Sequence, residues 1–241
     1  MKPVIAYRHL GRMGYAQALE VQREEFARML AAKNDGHSDK TRAGTLFTVE
    51  HPAVYTLGKN GLAANLLVGE ERLKAEGAEF YRTDRGGDIT FHGEGQIVGY
   101  PVLDLEVTGT SLRDYVDTLE QAVIDTLLQY GIVSGRSEGA SGVWLWEGCT
   151  AGQTAPRNQK MSRLRKICAI GVRASRYITM HGFALNVATD LRRFAMINPC
   201  GFTDRGVTSM QQELGTTPDI DEVRLAVVSH LINLLGAQQG A

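Results

Sequence analysis

Cys200 has the sequence setting of a nucleophile. It lies in the stretch INPCGF at residues 197–202, with a proline before it and a glycine after it. Proline stiffens the backbone on one side of the thiol, and glycine leaves it free to turn on the other. Such a turn presents the side chain and leaves the following N–H accessible to an oxyanion. The local sequence also fits a turn cysteine without chemistry, so both interpretations stay open on this pattern alone.

A cysteine nucleophile needs a neighbouring base or cation, because the free thiol has a pKa of about 8.5. The candidates are His92, His181 and the lysines. Lys166 opens the otherwise apolar strand KICAIGV, and strand alternation puts it on one face with Cys168 and Ile170. Burial would lower the pKa of a lysine so placed and make it a base. A solvated lysine at a strand end is the alternative.

The other two cysteines are not predicted to take part in the chemistry. Cys168 follows Ile167 in a predicted strand, where a small apolar residue is typical, and Cys149 has no obvious partner. Three cysteines without CxxC spacing favour reduced thiols and a cytoplasmic protein over a disulfide framework. No histidine pair has HxxxH or HxH spacing, so no metal site is predicted. We find no signal peptide and no apolar run long enough for a membrane span.

The segment RGGDITFHGEGQ at residues 85–96 is dense in glycine and begins with an arginine. It could cradle a phosphate, or its backbone could lie flat against an uncharged ligand. There is no GxxxxGK[ST] loop, and the segment lacks GxGxxG spacing. A predicted strand follows it in place of the helix that would bind phosphate at its N-terminus. These features disfavour a nucleotide site.

Charge is unevenly distributed along the chain, which has 26 basic and 27 acidic residues. Residues 148–189 contain no Asp or Glu, and such a basic face favours an acidic partner, with a solvated basic loop as the alternative. Little aromatic interleaving accompanies the charge, so nucleic-acid binding is not expected. The basic residues of the stretch are Arg157, Lys160, Arg163, Arg165, Lys166, Arg173 and Arg176.

Hydrophobic periodicity predicts an α+β fold of mixed sheets packed with helices, in a single domain spanning residues 1–241. Long helices are predicted over residues 13–33, 111–130 and 222–235, with a short helix that ends at Gly77. The polar, basic segment 147–165 is predicted to be a loop inserted in a hairpin. The predicted strands cover residues 44–50, 53–58, 79–83, 88–92, 96–105, 142–146, 166–172 and 177–187.

Four segments together resemble the lipoyl(octanoyl) transferases. They are RGGDITFHGEGQIVGYP (85–101), KICAIGV (166–172), HGFALNV (181–187) and NPCGF (198–202), and they occur in the family's order and approximate spacing. The stretch EHPAVYTLG (50–58) is similar to the family's early strand pair. The resemblance implies the fold shared by lipoate ligases and the catalytic domain of biotin protein ligases.

The resemblance also implies an activity and a site. Such enzymes move an octanoyl group from acyl carrier protein to a lysine of a lipoyl domain, in 2-oxo acid dehydrogenase E2 subunits or the glycine cleavage H protein. It implies an acyl-thioester on Cys200, assisted by Lys166, with no metal and no cofactor, in a monomer. The positions that match the family's substrate-binding segments are Arg85, Gly86, Gly87, Asp88, Ile89, Thr90, Phe91, His92, Ala169, Ile170, Gly171, Gly182, Phe183 and Ala184.

Two departures from the family pattern stand out. The family shows HGPGQ where this chain has HGEGQ, with Glu94 in place of the proline, and segment 147–165 is longer than the usual connection. Two other functions fit the same fold: an ATP-dependent lipoate ligase, which would need no cysteine nucleophile, and a non-catalytic module that binds acyl groups or carrier proteins. A third alternative is a thioesterase, which would pass the acyl group to water.

Overall fold

The computed structural model describes residues 2–37, 39–155, 164–198 and 206–240. Cys200 therefore lies outside the described residues, as do Arg157, Lys160 and Arg163 of the basic stretch. The helices are α1 (Tyr15–Asn34), α2 (Glu70–Ala75), α3 (Leu105–Thr108), α4 (Leu112–Gln129), α5 (Met210–Leu214) and α6 (Ile220–Leu234), with 3₁₀ turns at Ala63–Asn65 and Leu191–Met196.

The larger of two sheets is mixed. In the described part of the chain it runs β13-β1-β2-β6-β11-β10-β8-β7-β9, and β12 pairs beside β10. Its strands are β1 (Val4–Arg12), β2 (Arg42–Glu50), β6 (Gln96–Leu103), β7 (Gly135–Ser137), β8 (Ala140–Leu145), β9 (Thr154–Ala155), β10 (Arg165–Ser175), β11 (Ile178–Asn186), β12 (Gly206–Val207) and β13 (Gln238–Gly240).

Helices cover both faces of this sheet. Helices α4 and α6 pack on one face, where Leu119 and Val227 join Leu46 in one buried cluster. Helix α1 packs on the other face, where Phe26 meets Phe47. Successive residues of β2 thus enter opposite cores, as the twofold alternation of strand side chains requires. The expected layered α+β architecture is confirmed.

The smaller sheet carries the glycine-rich segment. Its order is β4 (Glu79–Arg82), β3 (Val54–Leu57), β5 (Ile89–His92), with β3 parallel to β4 and antiparallel to β5. A separate core of Tyr55, Phe91 and Phe194 supports it. The RGG turn at residues 85–87 precedes β5, so this sheet holds the turn against the larger one.

Local signals set the ends of the predicted helices. Helix α4 begins after Ser111, whose hydroxyl accepts from the N–H of Asp114, and Gly131 follows its end with a φ of 75°. The predicted bounds for α1 and α6 also match within a few residues. None of the helices in the described ranges combines the length and apolar character needed to cross a bilayer.

The hairpin of β8 and β10 encloses segment 147–165, as predicted. Within the segment, β9 pairs with β7 on the sheet edge, and Ala155 joins Trp144 and Trp146 in a small buried cluster. The described part of the segment is therefore anchored to the sheet.

Candidate active site

A cavity of about 470 Å³ lies between the two sheets. Its walls are the RGG turn and β5 on one side, and β6, β10 and β11 on the other, with Tyr15 of α1. The predicted pocket residues line it, with one exception. Phe91 lies outside the cavity, because its ring packs on Tyr55 and Phe194 at centroid distances of 5.0 and 5.6 Å.

Glycines let the RGG turn approach β10 closely. The N–H of Gly86 donates to the carbonyl of Val172 at 2.9 Å. A β-carbon on Gly171 would lie 2.7 Å from the carbonyl oxygen of Gly86, closer than side chains come. Gly87 differs, since its φ of 85° favours glycine while the nearest atom to an added β-carbon is 3.4 Å away. The cavity wall is therefore made of backbone where these segments meet.

Arg85 braces the RGG turn against β3. Its guanidinium is buried and donates to the carbonyl of Thr56 at 2.6 Å, to the Thr56 hydroxyl at 2.9 Å and to the carbonyl of Gly86 at 3.0 Å. These bonds fix a buried charge in place. The guanidinium of Arg85 thus donates to oxygen atoms of the protein, whereas a phosphate-binding arginine directs its N–H groups at the ligand.

Lys166 lines the cavity next to Trp144. Its Nζ lies 4.4 Å from the centroid of the Trp144 ring, a distance that permits a cation–π interaction. The ring is buried, and its indole N–H donates to the carbonyl of Ala140 at 3.1 Å. Burial and this hydrogen bond therefore fix the Trp144 ring independently of the lysine. The ring face then holds the Lys166 Nζ at the cavity wall.

The predicted common face of Lys166 and Cys168 is wrong. The pairing of β8 with β10 shifts register between these two residues, so Lys166 and Ile170 line the cavity while Cys168 is fully buried in the core below. Gly142 makes room for the shift, since a β-carbon there would lie 2.4 Å from the Cys168 carbonyl. Burial also raises the pKa of Cys168 far above its usual range, which suits a structural thiol.

A hydrogen-bonded chain fixes the tautomer of His92. Asn186 Nδ2 donates to the carbonyl of Thr208 at 3.0 Å, so Asn186 Oδ1 accepts from Gln96 Nε2 at 2.8 Å. Gln96 Oε1 consequently faces His92 Nδ1 at 2.9 Å, and that nitrogen must donate. Burial lowers the pKa of His92 to about 3, so the ring is neutral with Nε2 unprotonated. The hydrogen-bonded chain continues to the backbone of Lys166, whose carbonyl accepts from the N–H of Thr208 at 2.9 Å.

His51 forms a second buried neutral histidine beside this chain. Its Nδ1 donates to the carbonyl of Met13 at 2.7 Å, and its Nε2 accepts from the hydroxyl of Tyr100 at 2.8 Å. Burial lowers the pKa of His51 to about 4. Sequence reasoning missed this residue together with Gln96 and Asn186. Each of the three is a polar residue at or next to the end of an apolar strand. A polar side chain buried at such a position needs a hydrogen-bond partner, and this pattern could have revealed them.

His181 lies in the cavity wall in an unusual backbone conformation. Its φ is 59°, in the left-handed region that few side chains occupy within a strand. The N–H of His181 donates to Gln22 Oε1 at 3.0 Å, and its Nε2 lies 2.8 Å from Asp84 Oδ1. Burial lowers its pKa. These two contacts hold a strained residue at the cavity.

Glu94, at the position where the family pattern has proline, is held by an ion pair. It forms an ion pair with Arg12 of β1, and the N–H of Gly95 donates to Glu50 Oε2 at 3.1 Å. Gly95 has a φ of 76°, and a β-carbon there would lie 2.6 Å from the Ala188 carbonyl. The turn between β5 and β6 is thus held by contacts on both sides without a proline.

The described residues on either side of segment 199–205 lie close to the cavity. Asn198 donates from its N–H to the carbonyl of Asn65 at 2.7 Å, and the nearby Phe194 lines the cavity. After the segment, Gly206 and Val207 line the cavity and pair in register with Arg165 and Lys166. The first described residues after segment 199–205 therefore lie beside Lys166.

Two described arginines of the basic stretch, Arg165 and Arg173, have anionic partners, while Arg176 donates to Asn34 Oδ1. Arg165 Nη2 lies 2.9 Å from Glu213 Oε2, and Arg173 pairs with Asp84. Their charge is thus partly neutralised within the protein. In the ranges described, no group of three or more His, Cys, Asp or Glu side chains has the arrangement of a metal site.

Comparisons with known proteins agree on the family. The family model for the lipoyl protein ligase A/B catalytic domain matches residues 15–232. An octanoyltransferase of Bacteroides fragilis is 54% identical over 210 residues, covering 87% of this chain and 88% of the relative. An octanoyltransferase of Flavobacterium johnsoniae is 47% identical over 242 residues, covering 99% of both.

Solved structures with low sequence identity share the fold. A putative lipoate protein ligase of Thermoplasma acidophilum with bound lipoic acid superposes with a TM-score of 0.65 at 16% identity, covering 100% of this chain and 88% of that one. A lipoate-protein ligase A bound with ATP gives a TM-score of 0.62 at 15% identity, covering 100% and 90%. By its sequence, this chain belongs to the octanoyltransferases, acyltransferases of protein lipoylation built on the lipoyl protein ligase A/B catalytic domain.

Proposed function

We propose that this acyltransferase takes an octanoyl group from acyl carrier protein onto the Sγ of Cys200 and passes it to a lysine of a lipoyl domain. The observation that carries the proposal is the position of Lys166. It lines the cavity whose wall Gly86 and Gly171 form, and it pairs with Val207, two residues after segment 199–205, which contains Cys200. A cation or base at that place can raise the thiolate fraction of a nearby cysteine.

The first step exchanges one thioester for another. The Cys200 thiolate attacks the octanoyl carbonyl, a new S–C bond forms, and the bond to the carrier's sulfur breaks. The departing thiolate takes a proton, for which the Lys166 ammonium is the donor. The two thioesters have nearly the same free energy, so the step needs no ATP.

The second step forms an amide. The acceptor lysine attacks as a neutral amine, a C–N bond forms, and the bond to Cys200 Sγ breaks. Neutral Lys166 takes the proton that the amine loses, which returns both groups to their starting state. Amide formation from a thioester is downhill, so this step also needs no nucleotide.

The cavity suits an uncharged acyl chain. Ile170, Phe183 and Val98 contribute apolar surface, and backbone at Gly86 and Gly171 forms a flat wall. Arg85 engages carbonyls of the protein, and His92 in the cavity wall is neutral because burial lowers its pKa to about 3. The predicted pocket residues that line the cavity would therefore bind octanoyl, with the carrier's thioester toward Lys166.

We propose as acceptors the lipoyl domains of 2-oxo acid dehydrogenase E2 subunits and the glycine cleavage H protein, with no cofactor. Acyl carrier protein is acidic, and we propose that basic residues of segment 157–165 help it dock. Arg165, in the described part of that run, also pairs with Glu213. Reversing the charge of Arg157, Lys160 and Arg163 together tests the docking role and leaves the proposed catalytic residues unchanged.

A transfer assay with and without ATP tests the function. With octanoyl-acyl carrier protein and a lipoyl domain, we expect octanoylation of the acceptor lysine in buffer free of nucleotide. The control supplies free octanoate with ATP and Mg²⁺, and there we expect no product. Product that forms only in the ATP reaction would instead assign the chain a ligase activity, as in its structural neighbour bound with ATP.

A further inference from the structure

Asp88, the acid of the RGGD segment, uses its carboxylate to hold a loop. Its Oδ1 accepts from its neighbour's N–H at Ile89, at 2.7 Å, and from the N–H of Leu62, at 3.2 Å. Its Oδ2 accepts from Asn65 Nδ2. These bonds join the glycine-rich segment to the loop of residues 58–66 that follows β3.

That loop is in turn bonded to the chain just before Cys200. The carbonyl of Asn65 accepts from the N–H of Asn198 at 2.7 Å. Leu66 and Ile197 form an antiparallel bridge, and the N–H of Leu67 donates to the carbonyl of Met196 at 3.0 Å. Asn65 is itself buried; its side-chain amide bonds Asp88, and its backbone carbonyl bonds the N–H of Asn198.

Glycines permit this close packing. A β-carbon on Gly61 would lie 2.7 Å from Asp88 Oδ1 and 2.3 Å from Leu57 Cδ1. A β-carbon on Gly58 would lie 2.3 Å from the carbonyl oxygen of Gly87. Both clashes would push the loop away from Asp88. The RGGD segment, the loop and residues 196–198 are thus one bonded unit.

We propose that Asp88 is a positioning residue that sets the place of Cys200 through Asn65 and Asn198. The inference rests on the proposed role of Cys200 as nucleophile. Cys200 follows Asn198 by two positions, a span of at most about 7 Å, so the anchoring of Asn198 limits where the thiol can reach. Although Asp88 lines the cavity, its carboxylate oxygens serve the loop, and this gives it a role other than substrate contact.

Exchanging the donor and the acceptor between Asp88 and Asn65 tests this. Asp88→Asn sets an amide N–H against the Asn65 amide, and Asn65→Asp sets two carboxylates against each other. The double variant restores one donor facing one acceptor, and the oxygen of the new amide at position 88 could still accept from Leu62 and Ile89. Asn65→Ala provides a further variant that leaves the bonds of Asp88 to the backbone in place.

The readouts are single-turnover acylation of Cys200 by octanoyl-acyl carrier protein and alkylation of Cys200 by iodoacetamide, mapped by peptide mass. We expect each single variant to lose about 100-fold in acylation rate with little change in the KM for the donor, since small misplacements cost that much. The double variant should recover to within about tenfold of the wild-type rate, because the exchanged pair again matches a donor with an acceptor.

Two results would overturn the proposal: acylation at the wild-type rate in all single variants, or a loss confined to KM that Asn65→Asp does not rescue. The latter would make Asp88 a substrate contact. Failure of the wild type to acylate Cys200 would refute the proposed function instead. In that case the alkylation rates still decide, because rescue of alkylation in the double variant supports positioning and its absence contradicts it.

Discussion

Replacing Lys166 with methionine is expected to lower octanoyl transfer by about 10²- to 10⁴-fold, the usual contribution of a positioned acid–base group. Methionine retains a long apolar side chain against the Trp144 ring and removes the ammonium that lies 4.4 Å from it. Both half-reactions should slow, because the same group donates a proton in the first and accepts one in the second. The measurement is a single-turnover rate for each half-reaction.

Lys166→Arg is the matched control. Arginine keeps a cation over the Trp144 ring but stays protonated at any working pH, so it cannot act as a base. We expect it to be nearly as defective as methionine in amide formation. Full activity in Lys166→Arg would show that the charge alone matters, and full activity in Lys166→Met would remove Lys166 from the mechanism.

Acidification from pH 7 to pH 5 is expected to destabilise the fold by about 4 kcal/mol through two buried histidines, at roughly 1.36 kcal/mol per pKa unit each. Burial lowers the pKa of His51 to about 4 and that of His92 to about 3. The unfolded chain takes up protons below about pH 6.5 while the folded protein does not, so the free energy of unfolding falls with pH across this window. Above about pH 6.5 this contribution is fully present.

Denaturant unfolding at pH 7, 6 and 5 measures the effect. The matched variant is His51→Asn, which keeps an N–H near the place of Nδ1 for the Met13 carbonyl and removes the titration. It should have lower stability at pH 7 but about half the wild-type loss on acidification, because only His92 of the pair then titrates. An equal loss in the two proteins would show that His51 is not a source of the pH dependence.

The sequence predicted elements whose signals are local. The capping by Ser111 and the apolar stripe of α4 lie within one stretch of chain, and the structure has that helix at nearly the predicted bounds. Strands β1 and β13 were missed because they are parallel partners from opposite ends of the chain, and β1 carries several partly exposed polar residues. Their pairing cannot be read from either stretch alone.

The pocket was predicted by resemblance, and its physical basis needs the fold. Segments 85–92 and 169–171 meet because Gly86 and Gly171 allow backbone contact, and Gly182 allows its strand to approach Gly99 of β6 closely. The hydrogen-bonded chain from His92 through Gln96 and Asn186 to Thr208 joins three separate parts of the sequence. No periodicity predicts such a chain, and a register shift displaced Cys168 from the face that alternation assigned to it.

The most direct test of the proposed mechanism is the intact mass of the protein after incubation with octanoyl-acyl carrier protein. We predict one octanoyl adduct in the wild type, mapped to Cys200, which disappears when a lipoyl domain is added and reappears on the acceptor lysine. Cys200→Ala should gain no adduct. An adduct that persists in Cys200→Ala, or one that is never passed to the lipoyl domain, would contradict the mechanism.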